Sequence, residues 1–176
     1  AINGSMRLLG LQQHSVQADK IMLDITKKMG ANVSWQNDEL LVSSNQLLGI
    51  EIDLTDSPDL FPVLAVLAAC ANGESRLNGL QRLIHKESNR AESIAILLAQ
   101  LGVIFNIEKD TLIIKGQSNY SALKYDCPND HRMAMAAALA TMRCNGAVEI
   151  ENAECVAKSY PNFWNDLLLK SENKQS

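Results

Sequence analysis

Two stretches of this 176-residue chain read alike at a spacing of 72 residues. The segments "DITKKMGANVSWQNDELLVSS" and "ILLAQLGVIFNIEKDTLIIKG" each run from a helix end through a glycine, an alternating strand and a polar turn to a second strand. Gly30 therefore pairs with Gly102, Val33 with Phe105, Trp35 with Ile107 and Val42 with Ile114. The rest of the unit keeps nearly the same period. "SPDLFPVLAVLAACANGESRL" aligns with "PNDHRMAMAAALATMRCNGAVEI", Asn72-Gly73 falls opposite Asn145-Gly146, and Lys86 meets Lys158. A period of this length requires one supersecondary unit to be used twice, so whatever buries one copy must also bury the other. The predicted unit is an apolar helix ended by Asn-Gly, a strand, an amphipathic helix and a hairpin. The expected domain spans residues 1–170, with copies at about 16–88 and 89–160 and a polar tail at 171–176.

Two kinds of helix are predicted. Amphipathic ones run from about residue 16 to 29 and from 89 to 101, where Ile94, Leu97, Leu98 and Leu101 form a stripe at helical spacing. Residues 60–71 and 133–142 are instead apolar nearly all round, which places them inside, covered by other elements. Strand alternation points Val103, Phe105 and Ile107 at the core, as it does Ala31, Val33 and Trp35. The expected fold class is α/β (α+β), an inside-out arrangement with buried helices and outer sheets. The Asn-Gly pairs are expected to stop helices, because both residues tolerate the left-handed C-cap conformation.

Composition narrows the function. A hydrophobic fraction of 47% with 20% charged residues excludes wholesale disorder. A net charge of -4 and a pI near 5.4 give no global attraction to nucleic acid or anionic membrane, so basic residues must act as a focused cluster. The longest apolar run, 60–71, is about half the ~20 residues that a bilayer span needs. Cys70, Cys127, Cys144 and Cys155 form no C-x-x-C pair and lack histidines at zinc-finger spacing. They read as reduced, mostly buried thiols of a cytoplasmic protein with no metal.

Charge placement at the helix entrances is the functional signal. A helix N-terminus carries partial positive charge, so cations there oppose the local field unless an anion joins them. In "NDHRMAMAAALATM", Asn129 or Asp130 can cap a helix whose first turn holds His131 and Arg132. In "HKESNRAESIAILL", Lys86 precedes and Arg90 enters a helix that Ser88 or Asn89 can cap, and in "AKSYPNFWNDLLLK" Lys158 precedes a cap at Ser159 or Tyr160 with Pro161 in the first helical position. "TDSPDLFPVLA" supplies a carboxylate, Asp59, instead. Taken singly, Asp59 is a helix-start acid, Glu87 a loop acid, His131 a solvated side chain and each cation a surface charge. Gathered at equivalent corners of a repeat, the cations make phosphate cradles with the helix amides. His14 and His85 carry no functional assignment.

The stretches "SPDLFPVLAVLAA", "HKESNR" followed by an amphipathic helix and "LG", "NDHRMAMAAALA" and "AKSYPNFW" resemble, in kind, order and spacing, the C-terminal part of the 5-enolpyruvylshikimate-3-phosphate synthase family. The resemblance extends from about Leu8 to Leu168. It implies two domains built of three βαβαββ-like units each, with the active site between them, so this chain is most of one domain and the opposing N-terminal domain is its missing partner. It further implies transfer of the enolpyruvyl group of phosphoenolpyruvate to the 5-hydroxyl of shikimate 3-phosphate, with no metal or organic cofactor, and an inactive isolated chain. By the same resemblance the catalytic residues are Asp59, which accepts from the attacking hydroxyl, Glu87, which exchanges a proton at the methylene, and Lys158. Arg90, Arg132 and Lys158 hold phosphoenolpyruvate, Asp59 and Lys86 face shikimate 3-phosphate, and His131 stands nearby. Two positions depart from the family pattern: Asn89 replaces an Asp, removing a negative neighbour of Arg90, and Ala18 in "SVQAD" replaces a Gly. A UDP-N-acetylglucosamine enolpyruvyl transferase is the related alternative, disfavoured by "KES", "NDHRMAM" and "KSYP" and by the lack of its catalytic cysteine loop. A non-catalytic anion-binding module is the alternative from another class.

Overall fold

The computed structural model describes residues 4–44, 46–117 and 119–172. The chain begins with β1 (Gly4–Leu8), α1 (Ile21–Lys28), β2 (Asn32–Gln36) and β3 (Glu39–Ser44), which form an antiparallel sheet in the order β1-β3-β2. A complete unit follows: β4 (Glu51–Asp53), α2 (Phe61–Cys70), β5 (Glu74–Asn78), α3 (Arg90–Gln100), β6 (Ile104–Glu108) and β7 (Thr111–Lys115). Its sheet has the order β4-β5-β7-β6, with β4 parallel to β5 and the other pairs antiparallel. The third part holds β8 (Leu123–Asp126), α4 (His131–Ala140), β9 (Val148–Glu151) and α5 (Phe163–Glu172), with β8 and β9 parallel.

The period seen in the sequence is a period of strand register. Trp35 lies opposite Leu40 as Ile107 lies opposite Leu112, and Asn32 opposite Ser43 as Ile104 opposite Lys115. Both hairpins turn on two polar residues, Asn37-Asp38 and Lys109-Asp110, with positive φ at Asn37, Asp38 and Lys109. The elements from β4 to β7 contribute the four strands of one sheet; a three-stranded sheet precedes them and the parallel pair β8-β9 follows.

Helices α2 and α4 lie inside with the sheets around them, while α1 buries only Ile25. Eight of the ten residues of α2 and seven of the ten of α4 are buried, the two helices pack on each other, and alanine is the most frequent buried residue of both. Such small side chains let the backbones approach closely and leave the sheets to cover what remains. The α3 stripe Ile94, Leu97, Leu98 and Leu101 is buried in the same core, whereas β2 and β6 keep mostly exposed outer faces. Among the described residues no helix is long and apolar enough to cross a membrane.

Several local expectations are corrected. Ile107 is 43% exposed because it stands near the tip of an edge hairpin, while Val103 is buried and Phe105 half-buried as predicted. Residues 18–20 form a short 3-10 turn, so α1 begins at Ile21 and not at 16. In the Asn-Gly pairs only the glycines are left-handed, at φ +97° for Gly73 and +127° for Gly146. Asn72 and Asn145 instead donate their backbone N–H to Leu47 and Tyr120, stepping from the helix end onto a strand edge. Helix α5 continues to Glu172, and residues 173–176 of the expected tail lie outside the described residues.

Gly116 fixes how β7 leaves its sheet over the end of α2. Its N–H donates to the Gly73 carbonyl at 3.0 Å, and the next N–H, of Gln117, to Ala69 at 2.8 Å. A Cβ at 116 would run into the Ala71 carbonyl oxygen, a backbone atom that cannot swing aside. Gly116→Ala is expected to lower stability by about 3 kcal/mol in urea unfolding, whereas Gly4→Ala, with open space around it, leaves the midpoint unchanged.

Candidate active site

Three helix entrances meet at one end of the core. Helix α3 starts at Arg90 and is capped by Asn89, whose side-chain oxygen accepts from Glu92 N–H at 3.4 Å. Helix α4 starts at His131 and is capped by Asp130, which accepts from Arg132 N–H at 3.0 Å. Just before it, Asn129 adopts φ +52°, a left-handed turn that a short amide side chain tolerates. Asp59 sits in the 3-10 turn Pro58–Leu60 that leads into α2.

The centre of the site is a buried ion pair. Arg90 is 2% exposed and Asp130 fully buried. Arg90 Nε donates to Asp130 Oδ2 at 2.6 Å and Nη2 to Oδ1 at 3.3 Å, a two-point clamp, while Nη1 donates to Asp59 Oδ1 at 2.7 Å. Ser88 Oγ donates to Asp130 Oδ2 at 3.0 Å. Burial pushes the Asp130 carboxyl up, but the Arg90 guanidinium, Ser88 and the Arg132 amide outweigh it and hold it below the usual carboxylate range. Burial likewise works against the charge on Arg90, and the two aspartates more than restore it.

Two partly exposed carboxylates then gather the remaining cations. Asp59 receives Lys86 Nζ at 3.4 Å and Arg132 Nη2 at 3.0 Å in addition to Arg90. Partial burial raises its carboxyl, and the Arg90 hydrogen bond with the Arg132 and Lys86 charges brings it below the usual value. Glu87 receives Lys158 Nζ at 3.0 Å and lies 3.2 Å from His131 Nδ1. The Lys158 hydrogen bond is the main cause of its lowered carboxyl. All seven residues singled out in the sequence thus belong to one connected cluster with Asp130. Lys158, Glu87, Asp59, Arg132 and Lys86 keep between 31% and 63% of their side chains exposed above the buried Arg90.

The structure corrects the setting of Lys158 and of the neighbouring Asn89. Lys158 ends the 3-10 turn Ala153–Lys158, and α5 begins only at Phe163, so neither Ser159 nor Tyr160 caps it and Lys158 meets no helix dipole there. Its contribution is charge alone. Asn89 donates its amide to Glu92 at 3.2 Å, and the negative neighbours of Arg90 are Asp59 and Asp130. The residue missed by sequence reasoning is Asp130. Its pattern signalled a cap, which it is, but nothing in the local sequence distinguishes a solvated cap from a buried one that also clamps a guanidinium.

Chemically, four fixed cations face three carboxylates, and the exposed members can exchange an internal partner for an anionic ligand. Among the described residues, Glu87, Asp130 and His131 offer donor atoms within 4.8 Å of one another, as a metal site would. Arg90 and Ser88 already occupy the Asp130 oxygens and Lys158 sits on Glu87, so this positive setting suits carboxylate or phosphate far better than a metal ion. A concavity of about 490 Å³ lined by Gln12, Ser15, Lys20 and Trp35 shares no residue with the cluster.

Fold and cluster together define an inside-out α/β domain of the enolpyruvyl transferase kind, with a network of cations and carboxylates at its helix entrances. The family profile described as EPSP synthase (3-phosphoshikimate 1-carboxyvinyltransferase) matches residues 1–167, and the chain belongs to that family. The 3-phosphoshikimate 1-carboxyvinyltransferase of Clostridium novyi is 39% identical over 165 residues, which is 94% of this chain and 38% of that protein. The one from Syntrophobacter fumaroxidans is 43% identical over 156 residues, 88% of this chain and 37% of its own length. The solved EPSP synthase of Acinetobacter baumannii superposes with a TM-score of 0.83 at 26% identity, covering 96% of this chain and 42% of that one. The enolpyruvyl transferase NikO of Streptomyces tendae shares the fold, at 21% identity and a TM-score of 0.64 over 85% of this chain and 34% of its own. The chain spans about two fifths of the length of the curated relatives it matches.

Asp130→Asn is expected to cost about 3 kcal/mol at neutral pH, because it leaves a buried guanidinium short of charge. The lowered carboxyls of Asp130, Asp59 and Glu87 contribute stability that is complete above their ordinary values of 3.8 and 4.5 and is lost as pH falls through the lower folded values. Urea midpoints measured from neutral to acid pH should therefore fall less steeply in Asp130→Asn than in the unchanged chain.

Proposed function

We propose that this chain is the phosphoenolpyruvate-binding domain of an enzyme that moves the enolpyruvyl group of phosphoenolpyruvate to the 5-hydroxyl of shikimate 3-phosphate, releasing phosphate. The observation that carries the proposal is the gathering of Lys86, Arg90, Arg132, His131 and Lys158 around Asp59 and Glu87 on one open face. The names of relatives 39% and 43% identical supply the acceptor, 3-phosphoshikimate, and the carboxyvinyl group transferred; phosphoenolpyruvate as its donor follows from the family resemblance. An opposing domain, the remainder of the family's length, closes this face and brings most contacts to shikimate 3-phosphate, with Lys86 and Asp59 reaching it from this side.

Arg132, Lys158 and the Nη1 edge of Arg90 bind the carboxylate and phosphate of phosphoenolpyruvate, displacing the carboxylates that hold them in the free chain. Asp59, still paired with Lys86, accepts the hydroxyl proton as that oxygen attacks C2 and passes it to the departing phosphate. Glu87 delivers a proton to the methylene carbon, giving a tetrahedral adduct, and takes one back from the resulting methyl group as phosphate leaves. In the free chain Lys158 holds Glu87 ionised; once phosphoenolpyruvate draws that ammonium away, the carboxyl rises toward the protonated form the first step needs. Lys158 then hydrogen-bonds the departing phosphate. No step calls for a metal or an organic cofactor, and the four free thiols suit a cytoplasmic setting.

Phosphate release from phosphoenolpyruvate and shikimate 3-phosphate is the test. The isolated chain is expected to be silent, and the chain assembled with its opposing domain to turn over. Glu87→Gln in that assembly should lower kcat by about 10²–10⁴-fold while phosphoenolpyruvate affinity stays nearly constant. An assembled, folded enzyme that binds phosphoenolpyruvate without ever releasing phosphate would leave a mere anion-binding module and overturn the proposal.

A further inference from the structure

Beside the cation cluster lies a pair of thiols that the proposed chemistry does not use. Cys127 Sγ and Cys155 Sγ are 4.0 Å apart. Cys127, 1% exposed, follows β8 three residues before Asp130, and its thiol donates to the Asp130 carbonyl at 3.5 Å. Cys155, half-buried, lies within the 3-10 turn that ends at Lys158. Asn152 already fastens the two segments, donating to the Cys127 carbonyl and to Asp126 Oδ1, both at 3.2 Å. The other two cysteines have partners of a different kind: Tyr120 donates its hydroxyl to Cys70 at 3.0 Å, and Cys144 donates to the Ala140 carbonyl at 3.4 Å.

We propose that Cys127 and Cys155 form a reversible disulfide in response to peroxide, pinning the segment that carries Lys158 to the segment that carries Asp130, His131 and Arg132. The sulfur of Cys155, the more accessible, attacks a peroxide oxygen; the O–O bond breaks, leaving a sulfenic acid and one water. Cys127 sulfur then attacks Cys155 sulfur, the S–O bond breaks, and the hydroxyl leaves with the Cys127 proton as a second water. Two thiols lose two hydrogens in all, and one peroxide becomes two waters. Two molecules of a small thiol such as glutathione return the hydrogens and leave as their own disulfide.

An S–S bond is about 2.05 Å long, so the sulfurs must close by about 2 Å, a distance within reach of side-chain rotation. Burial pushes the Cys127 thiol up to about 12 and also raises Cys155, so the pair reacts slowly at neutral pH and faster as pH rises. Side chains three apart in a 3-10 turn eclipse one another, which sets Cys155 and Lys158 on one face. Fixing the first therefore restrains the second. That this restraint regulates an anion site rests on the function proposed above; the cross-link itself does not.

Hydrogen peroxide added to the 176-residue chain should produce a Cys127–Cys155 linked peptide by mass mapping, absent in Cys155→Ser and reversed by reduced glutathione. In hydrogen exchange quenched with a phosphine reductant, amides 154–158 should exchange about threefold or more slowly in the oxidised chain. Cys155→Ser changes a half-exposed side chain and keeps the fold, so its exchange should ignore peroxide. A sulfinic acid on Cys155 with Cys127 still a thiol, linkage to Cys70 or Cys144, or a linked chain whose 154–158 amides are unprotected would each overturn the proposal. Both measurements are made without ligand, so their failure is distinct from failure of the anion site to bind phosphoenolpyruvate.

Discussion

The guanidinium of Arg90 against the carboxylate of Asp130 is the contact on which the site's geometry depends. With 2% and 0% exposure, neither group can turn to water, and each is affordable in the core only because the other is there. The pair ties the first residue of α3 to the cap of α4, and the Nη1 bond to Asp59 adds the entrance of α2. One planar cation thus fixes three helix starts that come from separate parts of the chain. A lysine there would offer a point charge without the fork that reaches two carboxylates at once.

Repetition explains why these starts converge, and its imperfections explain what they do. Equivalent helices begin at the same end of equivalent units, so their entrances face a common region. Asp59 and the His131-Arg132 pair occupy matching positions, yet one copy supplies a carboxylate and the other cations, and Arg132 joins Asp59 at 3.0 Å. Lys86 and Lys158 also match across the repeat; the first pairs with Asp59 and the second with Glu87. Because the copies differ at these positions, the shared corner carries an alternating array of charges. In such an array each exposed cation faces a carboxylate of the same chain.

Much of this was legible beforehand because it depends on local pattern. The 3.6-residue stripe of Ile94, Leu97, Leu98 and Leu101 and the all-apolar runs of α2 and α4 announced which helices are interior. Alternation failed at Ile107, because period-2 patterning does not know where a hairpin tip leaves the core. Spacing also failed at Lys158, where a Ser-Tyr-Pro run resembling a helix start is an irregular connection between a 3-10 turn and α5. The cations were picked out because charges that oppose the dipole recur at equivalent corners of the repeat, a signal no single entrance carries; Asp59 and Glu87 took their roles from the family resemblance.

The amino-acid order by itself determined the repeating unit, the inner and outer elements, and the inventory of cations and acids at their junctions, since each follows from periodicity and near-neighbour chemistry. Tertiary structure alone decided that Asp130 is buried on Arg90 and that Lys158 answers Glu87 without a helix dipole behind it. It also decided that Cys127 and Cys155 touch. Those outcomes join residues 28 to 71 positions apart. Contact and desolvation at such separations are set by how helices and sheets pack, and no short window of sequence encodes that.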